Sequence, residues 1–67
     1  MADPDGMNAK RVEWASTALT YFRTATHCDN DEALRDLLTN LMHWCDVHGV
    51  SFADELAVAN RAYLEEI

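Results

Sequence analysis

The chain has 67 residues and a formal net charge of −7, with 49% apolar and 25% charged residues. This composition is typical of a globular protein, and so short a chain forms one domain at most. The negative charge lies entirely in residues 29–67, which carry nine acidic and two basic side chains. A surface of this kind repels phosphate backbones and anionic lipids, so nucleic-acid and membrane binding are disfavoured.

Residues 1–7 predict a flexible N-terminal lead-in, because the stretch MADPDG is polar and contains the only Pro. The stretch lacks the apolar core of a secretory signal, and nothing in the chain resembles a membrane span of about 18 apolar residues. We therefore expect a cytoplasmic protein in which Cys28 and Cys45 are reduced thiols.

Residues 8–67 predict a single all-α domain made of three short helices, near 8–27, 31–48 and 52–66, in a small bundle. In each helix, apolar side chains recur at spacings of three and four, which is the pattern of one helix face. The stripes are Val12, Ala15, Leu19, Phe22 and Thr26; Leu34, Leu38, Leu41, Cys45 and His48; and Phe52, Leu56, Ala59 and Tyr63. Gly49 is typical of a helix end in the left-handed conformation, and Ser51 is a good first cap for the third helix.

The size of the chain also predicts self-association. A chain of this length buries only about 60% of its unfolded surface, and it lacks a disulfide framework or a convincing metal motif. We expect a homo-oligomer, with a dimer as the simplest form. The aromatic side chains exceed what one minimal core encloses, and Trp14 and Trp44, which lie beside the main stripes, are either interface or core residues. The interface candidates are Trp14, Tyr21, Trp44 and Tyr63.

The cluster HWCDVH raises the question of a metal site or a Cys–His nucleophile. Cys45 and His48 share a helix face, whereas His43 points about 160° away from Cys45, so four zinc ligands do not converge. A catalytic cysteine needs a lowered pKa and a pocket, and three short helices leave little room for one. Neighbouring carboxylates on a helix diverge by about 100° and do not face one substrate. We expect no enzyme activity, no cofactor and no metal.

The stretch LLTNLMHWCDVHGVSFADELAVANRAYLEE resembles the C-terminal part of small uncharacterised helical proteins carried by bacterial phages, plasmids and integrated elements. The likeness covers about residues 34–66 and depends mainly on LMHWCD. It brings no catalytic motif. What it implies is a mobile-element context, in which many small acidic proteins are anti-CRISPR or antirestriction inhibitors.

Two functions follow from these observations. The first is a protein–protein interaction module, a dimerising adaptor or regulator whose acidity serves solubility. The alternative is a phage-type inhibitor whose acidic surface blocks the basic nucleic-acid-binding groove of a host defence complex. The acidic residues that would bind such a basic host protein are Asp29, Asp31, Glu32, Asp36, Asp54 and Glu55.

Overall fold

The computed structural model describes residues 3–67 and contains three α-helices: α1 (Asn8–Thr26), α2 (Asn30–His48) and α3 (Phe52–Glu66). The prediction of a small all-α bundle is confirmed, and residues 3–67 contain no strand. Each predicted boundary is met to within one residue. No described helix is both long enough and apolar enough to cross a membrane.

The ends of α2 and the start of α3 follow the chemistry of their capping residues. Gly49 has φ 69°, and the N–H groups of Gly49 and Val50 both donate to the Cys45 carbonyl. This left-handed turn satisfies a carbonyl that the helix leaves free. At α3, the Ser51 hydroxyl accepts a hydrogen bond from the Asp54 N–H at 3.2 Å, as predicted for its cap.

The end of α1 differs from that of α2, because no glycine follows it. Helix α1 stops at Thr26, and His27 adopts the left-handed conformation with φ 60°. The His27 N–H donates to the Arg23 carbonyl at 2.7 Å, which closes the last turn. Histidine is among the few non-glycine residues enriched in this region, although its Cβ is strained there.

Each of the three helices contacts the other two. Helix α1 packs on α2 and α2 packs on α3, and the start of α1 meets the end of α3. There the Asn8 side-chain amide donates to the Glu66 carbonyl at 2.7 Å. A plain up-down-up bundle would bring the end of α3 to the other end of α1, so the helices are splayed rather than aligned along their whole length.

Residues 3–7 make several contacts with the helices. The Asp3 N–H donates to the Glu66 carbonyl at 3.2 Å, and the Asp3 carboxylate accepts from the Asn8 N–H. Arg11 pairs with Asp5 at 2.6 Å and with Glu66 at 3.4 Å. The flexibility predicted for residues 1–7 stays a prediction, and residues 1 and 2 lie outside the described part of the chain.

Little of the chain is buried. Among the residues described, only Ala33 and Cys45 are buried, and both are small. Large parts of the apolar stripes are exposed: Val12, Leu34, Leu38, Leu41, Leu56 and Tyr63. The periodicity identified the apolar faces correctly, but three splayed helices are too few to cover them.

Candidate interaction surface

An uncovered row of apolar side chains lies along α2. We call Leu34, Leu38 and Leu41 the leucine stripe; these side chains are 60%, 42% and 41% exposed. They are spaced four and three residues apart, so they lie within about 60° on one side of the helix. The buried residues Ala33 and Cys45 precede and follow the stripe in the sequence of α2; between them Asp36 and Leu37 are partly exposed and the other residues are exposed.

Apolar side chains border the two long edges of the stripe, and Asp31 lies at its N-terminal end, three residues before Leu34. Met42 and Trp44, about half exposed, flank it on either side. The charged residues between its ends are Arg35 and Asp36, which lie about 100° and 160° from Leu34 around the helix. An exposed apolar strip with charges displaced from its centre is typical of a protein–protein contact surface.

The four aromatic interface candidates are all more than half exposed, with values of 57% for Trp14, 78% for Tyr21, 53% for Trp44 and 58% for Tyr63. None of them is a core residue of the described chain. They are divided among the three helices: Trp14 and Tyr21 lie two turns apart on α1, Trp44 on α2 and Tyr63 on α3. Their role as interface residues stays a prediction.

Tyr63 lines a groove of about 320 Å³ between the start of α1 and the end of α3. Val12, Ala15 and Ile67 form its apolar part. Arg11 also lines it, but its guanidinium already binds Asp5 and Glu66. The groove therefore offers an apolar surface without an unpaired charge to orient a small ligand.

Trp44 and His48 form a stacked pair that the sequence analysis did not anticipate. Their ring centroids are 4.0 Å apart and the rings are nearly parallel, at 16°. His48 Nδ1 lies 2.9 Å from the Trp44 carbonyl oxygen. Because a carbonyl oxygen can only accept a hydrogen bond, Nδ1 carries the proton and donates it. Nε2 takes no part in this hydrogen bond. Side chains four residues apart on a helix are neighbours. The spacing of Trp44 and His48 in the sequence is therefore compatible with a stacked pair.

The histidines and cysteines do not assemble into a metal centre in residues 3–67, where no group of three potential ligands is found. Cys45 is buried beneath the end of α2, whereas His43 and His48 are exposed. Cys28 is partly exposed at the turn between α1 and α2. The expectation that the chain binds no metal or cofactor and performs no catalysis stays a prediction.

The acidic candidates form two separate groups. Asp29, Asp31, Glu32 and Asp36 surround the start of α2, and Asp54 and Glu55 lie in the first turn of α3. The first group lies at the start of α2 and the second follows its end, and α2 itself is 19 residues, or about 28 Å, long. The ion pairs found in residues 3–67 involve Lys10 and Arg11 only, so the six carboxylates are uncompensated by a salt bridge.

One ion pair outside these groups perturbs a carboxylate. The hydrogen bond from Arg11 lowers the pKa of Asp5 to about 2, against a partial desolvation that raises it. The N–H of Met7 adds a further hydrogen bond to the same carboxylate, at 3.1 Å. The same hydrogen bond to Asp5 raises the pKa of Arg11. The ion pair between Asp5 and Arg11 links residues 3–7 to α1.

The fold and its surface define a small all-α protein with an acidic exterior and an uncovered apolar helix face. Comparison with known protein families, with curated proteins and with solved structures found no match. The likeness to proteins of mobile elements stays a prediction from the sequence.

Proposed function

We propose that this protein is a protein–protein interaction module, a dimerising adaptor or regulator whose apolar helix faces are covered by other chains. One observation carries the proposal: within residues 3–67 only Ala33 and Cys45 are buried, while large apolar side chains of all three helices remain exposed. Each fully buried aliphatic side chain contributes about 1.5–3 kcal/mol, so a partner would supply stabilisation that the single chain lacks.

The shape of the molecule supports the same proposal. Its radius of gyration is 13.8 Å, whereas a compact domain of this length has about 11 Å. A chain without disulfides that leaves its apolar surface open is expected to associate. The acidic side chains then keep the associated form soluble.

Sedimentation equilibrium at micromolar concentration tests the proposal. We expect a mass of two chains of 7.6 kDa or more, with a melting temperature that rises with protein concentration because association is linked to folding. A folded monomer whose melting temperature does not depend on concentration would refute the dimerising module.

A second candidate function is supported by the uncompensated carboxylates. As an inhibitor of the anti-CRISPR or antirestriction type, the protein would place the acidic start of α2 in a basic groove of a host complex. Replacing Asp29, Asp31, Glu32 and Asp36 together by Lys should then abolish binding to the host complex, and binding by the unmodified protein should weaken with salt.

The control for this experiment is Glu65→Lys, which changes charge on α3 away from both acidic groups. Asp54→Lys with Glu55→Lys tests the second group independently. Retained binding by both reversed proteins, with loss only on substituting the exposed tryptophans, would reject the inhibitor and leave the apolar adaptor.

A further inference from the structure

The uncovered surface of the molecule can be compared with the area that a dimer buries. The accessible surface is 5472 Å², whereas a folded monomer of this mass exposes about 4,300 Å². The excess, about 1,200 Å², exceeds the roughly 800 Å² that each partner buries in a standard interface. The molecule therefore exposes enough additional surface for a standard interface with a second chain.

The leucine stripe is the part of this surface best suited to a second copy. Cys45, the next position of the series, is already buried within its own chain. The exposed side chains Leu34, Leu38 and Leu41 are spaced four and three residues apart. This is the seven-residue repeat with which two helices pack along a shared seam. A two-fold dimer uses the same patch on both subunits, so an apolar seam along one helix can pair with the same seam of another copy.

Charge decides the relative direction of the two helices. In a parallel pair, Asp31 at the acidic start of α2 would lie beside Asp31 of the second copy, and like charges in register are unfavourable. In an antiparallel pair centred between Leu38 and Leu41, residues whose numbers sum to 79 lie opposite one another. Leu38 then contacts Leu41 of the second copy, and Asp31 faces His48, whose Nδ1 is already bound to the Trp44 carbonyl.

We propose that the leucine stripe of α2 is the homodimer interface of this protein, with the two α2 helices packed antiparallel about the midpoint between Leu38 and Leu41. This assignment rests on the proposed function, because it names the surface through which the module dimerises. Met42 and Trp44 complete the interface on either side of the seam.

Single charge substitutions in the stripe test the surface. Leu38→Glu and Leu41→Lys each place a charge in the apolar seam and should raise the dimer dissociation constant on the order of 100-fold. Val47→Glu is the matched control: Val47 is on the same helix and 82% exposed, but lies about 140° from the stripe. The control should sediment as the unmodified dimer.

Mixing the two charged variants tests the direction. Only the antiparallel pair brings the carboxylate of Leu38→Glu onto the ammonium of Leu41→Lys while restoring one contact between unmodified leucines. The equimolar mixture should therefore form a heterodimer. If either variant is unfolded by itself, its helical circular dichroism should return on mixing.

The possible outcomes distinguish a failure of the proposed interface from a failure of the proposed function. Dissociation of both variants, an unchanged control and recovery on mixing support the assignment. An unmodified dimer whose two stripe variants remain dimeric overturns the surface and leaves the interaction module intact. Dissociated variants that do not recover on mixing overturn the antiparallel arrangement. An unmodified protein that is a folded monomer overturns the interface and the proposed function together.

Discussion

Replacing Gly49 by alanine should destabilise the fold through the backbone alone. Gly49 has φ 69°, a conformation that costs an L-residue with a Cβ roughly 1–2 kcal/mol. A Cβ built at this position meets no atom within 4 Å, so no clash adds to that cost. Alanine also restricts the unfolded chain, which offsets part of it, and we expect a net loss of about 1 kcal/mol.

For a domain of this length, about 1 kcal/mol corresponds to a fall of roughly 4–8 °C in melting temperature. Thermal melts followed by circular dichroism should be run at one fixed protein concentration, since association shifts the midpoint. Gly49→Asn is the matched control, because asparagine tolerates the left-handed region and should lose less than alanine. A melting temperature that is unchanged or raised in Gly49→Ala would refute the role of this turn in ending α2.

Two further predictions concern the other end turn and the lead-in. His27→Gly removes the strained Cβ at φ 60° and should raise the melting temperature by a few degrees; a fall would show that the His27 side chain stabilises the turn. The pKa of Asp5 is held at about 2, below its ordinary value of 3.8, so its pairing with Arg11 stabilises the fold above about pH 4 and is lost as the pH falls through about 2. Asp5→Asn should therefore lower the melting temperature near neutral pH. On acidification to about pH 2 its melting temperature should fall less than that of the unmodified protein, as followed by circular dichroism at low salt. An acid response identical to that of the unmodified protein would contradict the pairing.

The helices and their ends were predictable because their causes are local. Gly49 and Ser51 act within one turn of their own positions, and the spacing of apolar residues reports which side of a helix is apolar. His27 was missed as an end residue because glycine is the usual signal there and histidine only an enriched exception.

The exposure of the leucine stripe was not predictable in the same way. Periodicity shows that Leu34, Leu38 and Leu41 share a side of α2, but not whether another helix covers that side. The answer depends on how α1 and α3 are angled, which is set by contacts between residues far apart in sequence. The link between Asn8 and Glu66 is one of these, separated by 58 positions. The candidate surface therefore became visible only with the fold.

That same link has a consequence for the topology of the chain. Because the Asp3 N–H reaches the Glu66 carbonyl at 3.2 Å, a few linker residues would join these two positions without moving a helix. A circular permutant could then open the chain between Gly49 and Ser51, in the turn between α2 and α3. All three helices would stay uninterrupted, while α2 would become the C-terminal element and α3 the N-terminal one.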